Sequence, residues 1–201
     1  VPASDVPGER ASPTQPFPTK PPPFEPQKLS VEQLIDFTPE LRESAIAMLE
    51  QHRYGDIFTP PSLPTETSFG TIHVPGYIGG ASWMGAAVDP ETGIIYIPSA
   101  TIPSRSGLAI PPEEDATLNY VRNVTTNLRP RGLPLIKPPY GRITAIDLNV
   151  GEILWQVANG MGSPTMRNHS ALAGVDLPPL GNGWDQVLVT KTLLISAQRT
   201  P

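Results

Sequence analysis

The chain has 201 residues, a formal net charge of -5 and a pI near 5.2, so one domain is the default and no basic footprint for nucleic acid is present. Charged residues make up only 16%, too few for a disordered polyelectrolyte, and no apolar run approaches the roughly 18 residues of a membrane span. Cysteine is absent, which excludes disulfides and thiolate metal sites. The opening Val1-Pro2-Ala3-Ser4-Asp5 is polar and proline-broken, so it does not read as a signal peptide. It carries no initiator Met, and the expectation is a piece of something longer.

Residues 1–29 hold nine of the 27 prolines and almost no periodicity. Composition predicts extended, polyproline-like chain, either a flexible linker or an ordered segment laid over the rest and anchored by Phe17 and Phe24. Residues 30–56 are the one good helical region. Ser30 with Gln33 has capping-box spacing before a short turn. Thr38 then caps a second helix with Pro39 at its first position. Leu41, Ala45, Met48 and Leu49 form one apolar stripe, and Gly55 is the expected stop. His52 lies near the end of the stripe and reads as a surface or capping residue.

Residues 57–201 read as strands joined by long loops. A strand is predicted near Thr71–Val74, after a proline-rich loop. Gly76-Tyr77-Ile78-Gly79-Gly80-Ala81-Ser82-Trp83 follows. Its glycines beside two aromatics predict backbone packed closely against something flat. Two readings stand: a turn leading into a strand with a core Trp, or the wall of a binding site. Ala87-Val88-Asp89-Pro90-Glu91-Thr92-Gly93-Ile94-Ile95-Tyr96 then reads as a hairpin. Residues 100–140 form a long proline-interrupted insertion, expected to be a functional or packing loop between blades.

Gly141–Gly160 is again strand, turn, strand. Ile143, Ala145 and Asp147 alternate with Thr144, Ile146 and Leu148. Gly151 supplies the positive φ of the turn, and the Asp147 carboxylate can accept from turn amides. Trp155 needs a surface to pack on, which two strands alone do not supply. Both hairpins share Ala-x-Asp-x-x-x-Gly followed by an aromatic, so the pattern predicts a repeat architecture. The radial solution for antiparallel repeats is a β-propeller. Residues 160–179 read as loop, where His169 is a lone histidine without ligand spacing. Val187–Thr190 and Leu193–Ala197 read as a final hairpin turning at Lys191-Thr192.

Gly141–Gly160 resembles the tryptophan-docking motif of quinoproteins, the pyrroloquinoline quinone (PQQ) dependent dehydrogenases: Ala-x-Asp-x-x-Thr-Gly-Lys/Glu-x-x-Trp. Ala145, Asp147, Gly151, Glu152 and Trp155 match, and Val150 stands where Thr is usual. The resemblance covers nearly the whole chain. Residues 16–24, PFPTKPPPF, and residues 188–194, LVTKTLL, are similar to the membrane-bound glucose or polyol dehydrogenase branch. The resemblance implies an all-β fold: part of an eight-bladed propeller with a small helical insertion, about three blades by length. It also implies PQQ and calcium as cofactors, a sugar or alcohol substrate, a membrane quinone as electron acceptor, and a periplasmic, membrane-associated location.

Family members carry Gly-Gly-x-Asn-Trp where this chain has Gly79-Gly80-Ala81-Ser82-Trp83, and that Asn-Trp pair lines the PQQ pocket. The cofactor-binding candidates are therefore Gly80, Ser82 and Trp83, with Ser82 replacing the amide by a hydroxyl. Trp184 aligns with a pocket-facing Trp of alcohol-oxidising relatives. The family's Asp base, the cation beside the quinone and the main calcium ligands come from earlier blades, so the expectation places them before Val1 and nominates no catalytic residue here. The rival readings are a non-catalytic quinoprotein-like scaffold and an unrelated extracellular propeller that only binds.

Overall fold

The structure is a computed structural model that describes residues 1–66, 68–112, 114, 117–183 and 185–197. Among the described residues, nine strands fall into three antiparallel sheets: β1 (Thr71–His73), β2 (Ala87–Asp89), β3 (Ile94–Ala100), β4 (Ser104–Ala109), β5 (Val121–Thr125), β6 (Gly141–Asp147), β7 (Glu152–Ala158), β8 (Gln186–Val189) and β9 (Leu194–Ala197). The central sheet is a four-stranded meander in the order β2-β3-β6-β7. A three-stranded sheet runs β1-β4-β5, and β8-β9 is a separate hairpin that packs against β2 and β3.

The two repeated hairpins are thus the halves of one sheet. Tyr96 of β3 lies opposite Ala145 of β6, which lies opposite Trp155 of β7. The small methyl group of Ala145 lets the two rings meet, with centroids 5.8 Å apart. Both turns form as their residues require. Asp147 Oδ1 accepts from Asn149 N at 2.8 Å, Asp89 Oδ1 accepts from Glu91 N at 3.0 Å, and Gly151 and Gly93 take positive φ of 67° and 72°. The turns also hold each other: Asn149 Nδ2 donates to Thr92 O at 2.9 Å. The expectation for residues 100–140 needs correction here. They connect the second and third strands of one sheet rather than two blades, and they contribute β4 and β5 to a sheet of their own. The described strands make a four-stranded sheet, a three-stranded sheet and a further hairpin.

Helix α1 (Pro39–Glu50) starts as expected, with Thr38 Oγ1 accepting from Leu41 N at 3.3 Å. It ends at Glu50, five residues before Gly55. His52 closes it, its Nδ1–H donating to Met48 O at 2.8 Å. The main apolar core joins Leu41, Ala45 and Leu49 to Leu133, Leu135 and Ile136 of the insertion and to Leu172, Leu177 and Leu180 of the following loop. That loop is less featureless than expected, since it contains the one-turn helix α2 (Pro164–Arg167). The stretches that look like connections in the sequence therefore supply a large part of the main apolar core. They do so because their leucines face one another across the helix, an arrangement with no local period.

The N-terminal segment is ordered against the blade. Phe24 is half-buried, and its carbonyl accepts from Gln156 Nε2 at 2.8 Å. Phe17 is a weaker anchor, 43% exposed and edge-on to Phe58. The firm attachment is Glu25, a residue the sequence did not single out. It is buried with Thr101 Oγ1 donating to it at 2.5 Å and Arg142 at 3.6 Å.

Candidate functional site

One end of the central sheet gathers the start of β2, the end of β3, the start of β6 and the end of β7. The segment carrying Gly80, Ser82 and Trp83 is fastened there. Gly80 and Ala100 exchange backbone hydrogen bonds of 2.7 and 3.2 Å, and Gly80 takes a φ of 84° that a side chain would strain. Tyr77 is held from below, its amide donating to Ser104 Oγ at 3.1 Å and its hydroxyl hydrogen-bonded to Ser106. A turn closed by Gly85 N donating to Ser82 O at 3.1 Å then lifts Ser82 and Trp83 into solvent.

Trp83 is 101% exposed, so within this chain it is not a core residue. Residues 77–79 and 81–83 line an open hollow of about 470 Å³. The glycines have a different partner from the flat group expected. A Cβ on Gly76 would strike the Ile102 carbonyl, and one on Gly79 would strike the Pro75 carbonyl. They permit a tight fold of the segment on itself. Trp184 lies outside the described residues. Its flanks are pinned: a Cβ on Gly141 would lie 2.6 Å from Gly183 O, and the buried Asp185 accepts from Asn159 Nδ2 at 3.2 Å.

His169 serves the backbone, its Nδ1 accepting from Ala171 N at 3.2 Å. Among the described residues, no three His, Asp or Glu side chains gather where a metal ion could bind, and no helix is long and apolar enough to cross a membrane. Sequence reasoning missed a second feature of this end, a cavity of about 230 Å³ beside Thr101, Arg129, Tyr140 and Gly181–Gly183. Its members come from three loops, and no spacing links them.

A four-stranded antiparallel meander whose outer strand presents Trp155, followed by a further hairpin, is the build of a β-propeller blade. The family comparison makes this specific. Residues 1–200 match the PQQ glucose/ethanol/alcohol dehydrogenase beta-propeller domain, and the chain belongs to that family. It is similar to the quinoprotein glucose dehydrogenase of Escherichia coli, 32% identical over 83% of this chain and 23% of the relative. The quinate/shikimate dehydrogenase (quinone) of Acinetobacter baylyi is 26% identical over 78% and 21%. The glycerol dehydrogenase large subunit of Gluconobacter oxydans is 28% identical over 75% and 23%. The chain therefore spans between 21% and 23% of the length of these relatives.

Proposed function

We propose that this chain forms part of a PQQ-dependent dehydrogenase that oxidises a sugar, polyol or other alcohol and passes the electrons to a membrane quinone on the periplasmic side, within an eight-bladed propeller. Membership of the PQQ family supports the cofactor. The observation that carries the site is Trp83, a whole indole left uncovered on a turn fastened to the sheet end. A flat apolar ring beside a free-standing hydroxyl fits one wall of a planar, conjugated, polar-edged cofactor. Trp83 would supply apolar contact and shape, Ser82 a hydroxyl donor or acceptor, and Gly80 the backbone conformation that presents them. When bound, PQQ accepts the two electrons released at the alcohol carbon. Among the described residues no three His, Asp or Glu side chains gather to hold calcium, and we assign the base and the calcium ligands to residues outside this stretch.

The test is PQQ titration of the complete polypeptide and its Trp83→Ala variant. The variant should bind at least about tenfold more weakly, about 1.4 kcal/mol. Its melting should match wild type, because the ring packs on nothing within this chain. Unchanged PQQ affinity would remove Trp83 from the site. The complete polypeptide with PQQ and calcium should reduce a quinone analogue with a sugar or polyol, whereas the 201-residue chain alone should not. Failure of the complete polypeptide to turn over any such substrate would favour a scaffold.

A further inference from the structure

We propose that the cavity between Arg129 and Tyr140 is a binding site for a small organic carboxylate carried on a single compact ring. The cavity holds about 230 Å³ and is walled by Pro103, Leu128, Leu135 and Met166. That is just below the usual range for small-molecule pockets, and suits one ring rather than a fused system. Two polar groups point to what the ring carries. Tyr140 is only 8% exposed, and its hydroxyl finds no hydrogen-bond partner among the described residues. The oxygen itself stays open to water, whose place a ligand acceptor would take. Burial also pushes the phenol well above its ordinary pKa, against the smaller opposing pull of Arg129. The group therefore stays a proton donor at any ordinary pH.

Arg129 is the one charged residue among the described lining residues and makes no ion pair among them. Its planar guanidinium presents paired donors that match a carboxylate. Among the described residues, no carboxylate lines the cavity to compete for it. The geometry is therefore a largely apolar slot, with Thr101, Thr126, Ser163 and Asn182 also on its lining, that offers the Arg129 and Tyr140 donors and, among the described residues, no acceptor charge; it suits an anion with an apolar body. It lies next to the candidate cofactor surface. Thr101, which lines it, follows the Ala100 that is bonded to Gly80. The argument from cavity and donors does not depend on PQQ binding.

The experiment titrates benzoate, and separately its neutral counterpart benzyl alcohol, into the whole polypeptide carrying these residues, followed by calorimetry. Benzoate should bind at least about tenfold more tightly than benzyl alcohol. Arg129→Gln should abolish that preference, and Tyr140→Phe should weaken benzoate by about three- to tenfold. Arg129 is exposed and Tyr140→Phe keeps the ring, so both variants should retain the wild-type circular dichroism. Saturating PQQ should leave benzoate affinity within about twofold, as separate sites require. Absence of binding, equal binding of acid and alcohol, an unaffected Arg129→Gln, or complete displacement by PQQ would each overturn the assignment. The last would make the cavity a seat for the cofactor's own carboxylates.

Discussion

Removing Glu25 should release the N-terminal segment from the blade. The Glu25 and Arg142 side chains are 4% and 9% exposed and lie 3.6 Å apart. At that distance the attraction is about 4–5 kcal/mol for an effective dielectric near 20, and desolvation of both charges offsets most of it. The cost of breaking the pair is larger than its net contribution, because the survivor stays buried without a counter-charge. Glu25→Ala and Arg142→Ala should each destabilise by about 3–5 kcal/mol. Glu25→Ala also orphans the Thr101 hydroxyl, which donates to it at 2.5 Å. The double variant Glu25→Leu/Arg142→Met leaves no unpaired charge, so it should cost less than either single change. Urea unfolding followed by circular dichroism measures all three, and trypsin cleavage after Lys28 reports release of the segment directly. Single-variant costs below about 1 kcal/mol, the range of an exposed pair, or costs that simply add in the double variant, would refute this reasoning.

Trp155→Ala should lower stability by about 2 kcal/mol, less than a fully buried indole, because the ring is 39% exposed and packs on Tyr96. Thermal melting should show a shift of about 4–8 °C. Gly141→Ala forces a Cβ against the backbone of Gly183, with Gly183 O at 2.6 Å and Cα at 2.7 Å. It should cost about 1–3 kcal/mol and raise amide exchange in residues 181–183. His52 is half-buried, and burial lowers its pKa from 6.5. The unfolded chain therefore takes up the proton first as pH falls. The stabilisation from the neutral ring is present above 6.5 and is lost as pH falls through the folded value. Urea midpoints at about pH 7.5 and about pH 5.5 should fall for wild type and fall less for His52→Gln.

Much was legible in the sequence because it is settled within a few residues. The Asp89 and Asp147 turns, the positive φ at Gly93 and Gly151, and the Thr38 cap each depend on groups that stay adjacent in any fold. Strand alternation around Ala145 was equally plain, and so was the hairpin from Gln186 to Ala197. Which strands become neighbours was not. Alternation of period two looks the same whichever partner lies alongside, so only the tertiary structure decided that β3 pairs with β6 across the intervening insertion. The same limit governs Trp83 and Glu25. A large aromatic after paired glycines signals burial, yet no layer of this chain covers Trp83. A carboxylate in a proline-rich segment signals exposure, yet Glu25 is buried because Thr101 and Arg142 meet it there. Arg129 and Tyr140 acquire their meaning in the same way. Burial and charge pairing are properties of what surrounds a residue, and that surrounding is assembled from chain segments that no local spacing connects.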